Sequence, residues 1–314
     1  MHLQLLDLAE SSSHLPIEQA ILEALAYSDV FDYPLRVEEI QRYLPIRSTM
    51  DQVRAALECN CGLVGTLRGY YFVPGREEIV PLRLNREQVS RPTLEVAIRV
   101  GRALGHLPFI RMVALTGSLA LLNSGDNADL DYMLVTTPGR VWTARAFAIL
   151  MGRITARFGY TLCPNLIVSR QLLMWPQHDL YSAREISQMI PITGASLYSE
   201  FRNINAWTAD FLPNAAGLPA LAGPIPNSGR LLQSIQEWPL RGRLGSLLEA
   251  WERSRKILRF ERQDDFGDET RFGADVCQGN FGHYGAKTRQ ALQERLAHLA
   301  MHTSVDIGKG RADG

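Results

Sequence analysis

Thr116-Gly117-Ser118, then ten residues, then Asp129-Leu130-Asp131-Tyr132-Met133 is the stretch on which the reading of this chain turns. Residues 110–116 are an apolar run of strand character that Gly117 ends, and residues 130–135 are a second such run. Strand residues two apart project from one face, so Asp129 and Asp131 aim both carboxylates the same way while Leu130 faces the core. Such a pair is a ready cradle for a divalent cation. Oxygen ligands suit Mg²⁺, which commonly binds through one or two carboxylates plus substrate phosphates. Gly117 lets a phosphate approach the backbone, and Ser118 opens a helical run over 119–122 whose N-terminal amides favour an anion. Alone, the glycine pair is an ordinary turn and the aspartates a solvated strand-edge pair. Together they bring phosphate donors and metal ligands to one place.

Outward from this stretch, the spacing predicts a helix over 93–104 before the first strand and a helix over 141–158 after the second. A third apolar run follows at 162–168, which makes an α/β layout. Upstream, helices are expected over 16–26, 37–44 and 48–58, the last capped by Ser48 or Thr49. Two β-rich runs around a glycine turn follow within 63–73, which is winged-helix order, and 81–92 reads as the linker beyond it. Past Pro176 the pattern is mostly helical, broken by the proline- and glycine-rich 213–229, with helices over 231–263 and 288–302.

The Gly117-Ser118 and Asp129-Leu130-Asp131 pattern resembles the nucleotidyltransferase superfamily with the DNA polymerase β-like fold. Its signature is hydrophobic-Gly-[Gly/Ser], nine to thirteen residues, then Asp-hydrophobic-[Asp/Glu]-hydrophobic; Thr116 and Tyr132 depart from the hydrophobic positions. Winged-helix extensions carrying an element like Phe31-Asp32-Tyr33-Pro34 precede such domains in a subgroup that this chain looks like. The resemblance implies a mixed sheet with flanking helices, α/β (α+β) in class, between an N-terminal winged helix and a helical C-terminal region. The divisions would fall at 15–90, 91–212 and 213–304. It also implies Mg²⁺-dependent transfer of a nucleoside monophosphate from a nucleoside triphosphate to an acceptor, which could be a small molecule, protein or RNA. Asp129 and Asp131 would hold metal, and Gly117 and Ser118 the triphosphate. The superfamily usually places a third carboxylate on a later strand; here the positional candidate is Asn165, whose amide can ligate a metal but cannot act as a base at neutral pH. Asp179 and Glu185 are possible substitutes, although Ser182-Ala183-Arg184-Glu185 reads equally as a capping box. Two alternatives stand beside this one: a catalytically weakened nucleotide-binding or interaction protein, and a winged-helix DNA-binding regulator.

Composition narrows the field. Thirty-three basic and thirty-three acidic side chains leave no net charge over 314 residues, so nothing pulls the whole chain toward nucleic acid or an acidic membrane. Over 15–90, eight arginines face eleven carboxylates, and duplex DNA is not an expected partner. Four cysteines are too few for a disulfide scaffold, and no apolar run is long enough to span a bilayer; cytoplasm is the expected location and no membrane partner is expected. Arg140 and Arg145 read as an exposed helix face before they read as triphosphate contacts. The segment from Arg241 to Arg262 reads as a solvated basic face, with Glu249–Arg253 and Glu252–Lys256 pairs along it.

Overall fold

The computed structural model describes residues 15–59, 62–126, 128–226, 230–260, 269–279 and 282–309. Residues 261–263, the end of the helix expected over 231–263 and of the basic face expected from Arg241 to Arg262, lie outside them. The chain is a mixed α/β structure with a six-stranded mixed sheet and a small two-stranded one.

Three helices lead: α1 (Ile17–Asp29), α2 (Val37–Tyr43) and α3 (Met50–Glu58). Thr49, rather than Ser48, caps α3, its hydroxyl accepting the Gln52 N–H at 3.2 Å while the Gln52 side chain accepts the Thr49 N–H at 2.9 Å. Strands β1 (Gly65–Leu67) and β2 (Tyr70–Phe72) then form a hairpin. Its two turn residues, Arg68 and Gly69, have φ of 54° and 78°, the positive pair that a type I′ turn demands. A bridge between Leu35 and Tyr71 ties the segment before α2 to this hairpin.

The linker expected over 81–92 is instead helix. Helix α4 (Ile79–Leu104) runs unbroken for 26 residues. Pro81 sits in its first turn, where backbone N–H groups have no intrahelical partner, and Pro92 removes only one ladder bond. Interactions at each end outweigh that loss. Arg83, only 3% exposed, bonds Glu39 at 2.7 and 2.8 Å, Glu87 at 3.0 Å and the Pro34 carbonyl. Its guanidinium also lies over the Tyr33 and Tyr70 rings at 4.0 and 4.8 Å. The other end of α4, through Leu94, Ala97 and Leu104, packs into the core of the large sheet. One rigid rod therefore spans the boundary expected at residue 90.

The large sheet begins with β3 (Ile110–Leu115) and β4 (Leu130–Thr136), an antiparallel pair. Helix α5 (Val141–Ala156) crosses to β5 (Leu162–Ser169), which lies parallel to β4. The region past Pro176 is mostly helical, as expected, but it also adds strands to the sheet. It contains β6 (Ile190–Thr193), which pairs with β3, and the hairpin β7 (Thr270–Phe272) and β8 (Val276–Gly279), which pairs with β5. The spatial order is β6-β3-β4-β5-β8-β7. These added strands are three or four residues long, too short to carry a period-two signal, yet β8 covers the edge that β5 would otherwise expose.

Between and after these strands come α6 (Leu180–Gln188), α7 (Ala195–Ile204), α8 (Thr208–Phe211), α9 (Arg230–Glu237), α10 (Arg243–Phe260) and α11 (Tyr284–Lys309). Pro239 accompanies a short 3₁₀ turn, Trp238–Leu240, that splits the single helix expected over 231–263. Side chains of β4 alternate between two layers. Leu130, Tyr132 and Leu134 pack with α4 and α5, while Met133 and Val135 pack with Ile186 of α6 and with Leu197, Tyr198 and Phe201 of α7. Asp131 shares the second face.

Helix α10 inverts its expected pattern. It buries Glu249 and Glu252 and leaves Leu244, Leu247, Trp251 and Leu258 exposed. The two expected i, i+4 pairs do not form: Glu249 accepts the Trp142 and Thr143 N–H groups at the start of α5, at 2.9 and 2.7 Å, and Glu252 bonds Arg255 at 2.6 Å. No helix among the described residues is long and apolar enough to cross a membrane.

Removing one member of a buried, fully bonded charge cluster costs about 3–5 kcal/mol, whereas an exposed ion pair contributes less than about 1 kcal/mol. Arg83→Ala is therefore expected to lower unfolding stability by the larger amount and Arg36→Ala, whose partner contact is half exposed, by the smaller. Denaturant unfolding that finds the two equal would remove Arg83 as the pin of α4.

Candidate cation and phosphate site

Asp131 begins β4 and Gly117 follows the end of β3, so antiparallel pairing brings them together; the Thr116 N–H donates to the Asp131 carbonyl at 2.9 Å. Gly117 has φ 69° and ψ −166°, a region open essentially to glycine alone. A Cβ there would lie 2.4 Å from Asp131 Oδ2. Glycine is thus required twice at this position, by backbone angle and by the carboxylate pressed against its Cα.

Asn165 reaches the same spot because the register between β4 and β5 slips. Asp131 faces Cys163 and Met133 faces Leu166, leaving Pro164 and Asn165 opposite Tyr132 alone. That bulge turns the Asn165 side chain toward Asp131, and its Nδ2 donates to Asp131 Oδ1 at 2.8 Å. Asn165 and Asp131 are therefore in contact, the amide presenting its nitrogen to the carboxylate, while Asp129, just before β4, acts on Asp131 through its charge.

Negative charge collects here without a basic partner. Burial pushes the Asp131 carboxyl up to about 6; the Asn165 hydrogen bond opposes the rise and Asp129 adds to it. Burial, then Asp131 and Asp129, push the Cys163 thiol up to about 11. Burial pushes Glu185 on α6 up to about 7, and Asp131 adds to that rise. Among the described residues no arginine or lysine pairs with Asp129, Asp131 or Glu185. No three His, Cys, Asp or Glu side chains among them cluster closely enough to ligate one ion. What the site offers a cation is two carboxylates and an amide.

Several expected neighbours belong elsewhere. Residues 119–122 do not open an α-helix: Ser118–Leu121 is a single 3₁₀ turn, ended by Leu122 at φ 55°. Four residues carry little macrodipole, so a phosphate here would rely on the bare backbone at Gly117 and on Ser118. The Ser118 hydroxyl pairs with that of Ser124 at 2.7 Å, a partner with no sequence signal. Asp179 is the N-cap of α6, accepting the Ser182 N–H at 2.8 Å, and it bonds Arg289 at 2.7 Å, so its carboxylate is already engaged and the cap is Asp179 rather than Ser182. Arg140 and Arg145 follow the far end of β4, a seven-residue strand and so roughly 20 Å away.

The Phe31-Asp32-Tyr33-Pro34 element has a visible purpose. Asn123 Nδ2 and Arg86 Nη1 both donate to the Phe31 carbonyl, at 3.0 and 3.3 Å, and Arg86 also bonds Asn123 Oδ1 at 3.1 Å. The Tyr33 hydroxyl lies 3.2 Å from the Leu121 carbonyl, and Ser90 Oγ donates to the Ser124 carbonyl at 3.1 Å. The N-terminal module thereby clamps the turn that follows Gly117-Ser118. On the other side, Arg184 of α6 is buried between Tyr27 and Tyr43 at 4.4 and 3.9 Å.

Two outcomes are expected. Gly117→Ala should lower stability by about 1–3 kcal/mol from backbone strain, with more from displacement of Asp131, while Ser118→Ala should cost far less. The Asp131 carboxyl holds its proton more tightly in the folded chain (about 6) than in the unfolded chain (about 4), so the metal-free protein should lose stability as pH rises through that window. Asp131→Asn should reduce that loss, leaving the share that Glu185, raised to about 7, contributes; melting temperatures measured across the window decide it, and equal slopes in both proteins would discard the uncompensated charge.

No protein-family model matches this chain, and neither the curated proteins nor the solved structures contain a significant match to it.

Proposed function

We propose that this chain is a divalent-cation-dependent nucleotidyltransferase, built on a DNA polymerase β-like core behind a winged-helix module. The observation that carries the reading is the approach of the Asp131 carboxylate to Gly117, beside Asp129 and Asn165, where no basic side chain among the described residues pairs with it. A half-buried carboxylate raised in this way and left without a cationic partner is most simply explained by a cation that it is built to receive. Asp129 and Asp131 would hold Mg²⁺, and Asn165 would turn its amide so that oxygen faces the ion. When bound, the ion offsets charge on the attacking and leaving oxygens of an in-line phosphoryl displacement.

The remaining work falls to the chain. Gly117 admits the triphosphate to the backbone, and the Ser118–Ser124 hydroxyl pair supplies hydrogen bonds beside it. An acceptor oxygen attacks the α-phosphorus, the α–β bridging bond breaks, and pyrophosphate leaves with the bond's electron pair. The acceptor's proton needs a base. Asn165 cannot take it, and Glu185, titrating at about 7 and electrostatically coupled to Asp131, is the remaining carboxyl of suitable character.

A second reading is a nucleotide-binding protein of weakened catalysis. Asn165 in place of a carboxylate favours it, and so does the lack, among the described residues, of three clustered acidic groups. The DNA-binding reading loses support, since Arg36, Arg42, Arg76, Arg83 and Arg86 are engaged in contacts within the chain. Duplex DNA should show no binding to the full chain at physiological salt; sub-micromolar affinity would restore that reading.

Incubation with each labelled nucleoside triphosphate and Mg²⁺, in the presence of protein, RNA and small-molecule acceptors, tests the main reading. Label should appear on an acceptor. Asp129→Asn or Asp131→Asn should lose about 2–4 kcal/mol of transition-state stabilisation with the fold intact, and Glu185→Gln should slow turnover less. Triphosphate binding with no pyrophosphate released favours the second reading, and turnover unchanged in both aspartate variants removes the site assignment.

A further inference from the structure

The far end of β4 holds a second polar centre that nucleotidyl transfer does not use. There the chain leaves Thr136 through Thr137-Pro138-Gly139 into α5, and α9, the 3₁₀ turn and α10 close over that corner. Between them lies an open cavity of about 620 Å³, whose charged lining is Arg111, Arg140, Arg241, Arg253, Glu237 and Glu249. An adjoining cavity of about 430 Å³ shares Arg111, Arg241 and Glu237 with it.

Both carboxylates of the larger cavity are engaged with the protein. Glu237, nearly fully buried, accepts the Phe109 N–H at 2.8 Å, the Arg111 guanidinium at 2.8 and 2.9 Å and Arg241 at 3.3 Å. Glu249 accepts the Trp142 and Thr143 N–H groups and the Thr143 hydroxyl, the last at 2.6 Å. Among the described residues the guanidinium of Arg140 has neutral partners alone: the Gly139 carbonyl at 2.9 Å, the Arg241 carbonyl at 3.3 Å, Ser246 Oγ at 3.5 Å and the Phe109 ring at 5.4 Å. Arg253 has no carboxylate partner among the described residues. Four guanidiniums thus face two satisfied carboxylates, and the cavity keeps a surplus of two positive charges.

Guanidinium groups present planar pairs of N–H donors that match phosphate oxygens, and a cavity of this volume admits a ligand larger than bare phosphate. We propose that this cavity binds a small phosphorylated anion carrying at least two negative charges, at a site distinct from Asp129 and Asp131. The proposal does not depend on the nucleotidyl-transfer reading. Five residues of strand, 132–136, separate Asp131 from Thr137 at the cavity, roughly 15–20 Å of extended chain, so one small anion cannot occupy both.

The test is calorimetric titration of the full chain, stripped of metal and in metal-free buffer, with inorganic pyrophosphate at physiological salt. Without metal the aspartate site is anionic and repels the probe, so uptake reports the arginine cavity. One saturable site is expected, weakened at least tenfold in Arg140→Gln/Arg253→Gln and unchanged in Asp131→Asn. Should the double variant misfold, Arg253→Gln alone serves, because it breaks no described hydrogen bond, and at least a threefold weakening is expected. No saturable uptake at millimolar pyrophosphate, equal uptake in wild type and arginine variants, or uptake lost in Asp131→Asn would each overturn the proposal. Competition by an acidic peptide but not by pyrophosphate would assign the cavity to a protein partner and overturn it as well.

Discussion

Asp131 is held against a backbone that leaves no room for a side chain, and the architecture around it serves that contact. The carboxylate lies where a Cβ on Gly117 would have to be, Thr116 donates to its own carbonyl, and Asn165 donates to its side chain from the next strand. Folding must bring β3, β4 and β5 into one register before these groups meet. In doing so it half-buries a carboxylate without a cationic partner, which is unfavourable unless a ligand compensates it. Structural ion pairs elsewhere in the chain, such as Arg83 with Glu39 and Glu87, show that the fold can neutralise its buried charges. It does not do so at Asp131.

The parts distant from Asp131 share the work of holding this corner still. Helix α4 is anchored at its start by Arg83 in the N-terminal module and at its end in the sheet core, so one continuous helix joins the two. The Phe31-to-Pro34 element and Arg86 grip Asn123, and Ser90 grips Ser124, which fixes the turn after Ser118 from outside the sheet. An acidic N-terminal module that spends most of its arginines on such contacts is a bracket for the site, whatever else it touches.

Much of this was legible in the sequence, for identifiable reasons. Strands β3, β4 and β5 are long apolar runs, and the helices α1 to α3 and α5 carry clear periods, with a Thr49 cap on α3, so their order and rough limits follow from the residues. The Gly117-Ser118 and Asp129-Leu130-Asp131 spacing located the corner, and Asn165 was found by its place on the third run. What stayed hidden depends on partners distant in the chain. The bulge that turns Asn165 toward Asp131 is a property of the β4–β5 register, not of either strand alone. Strands β6, β7 and β8 are too short to show periodicity and exist because a neighbouring edge needs pairing. Pro81 and Pro92 read as a linker because the tertiary contacts of Arg83 and Leu94 that sustain α4 through them have no local signature. Glu249 and Glu252 read as a solvated face for the same reason, since the α5 N-terminus that Glu249 caps lies 107 residues earlier.

The central claim is that the charge at Asp131 awaits a divalent cation. Mn²⁺ binding to the metal-stripped full chain, followed by water-proton relaxation in wild type and in Asp131→Asn, tests it most directly. The account predicts saturable binding in the wild type that tightens when a non-hydrolysable nucleoside triphosphate is present, and loss of that binding in the variant with its fold retained. Equal Mn²⁺ uptake by both proteins, or none by the wild type even with triphosphate, would contradict it.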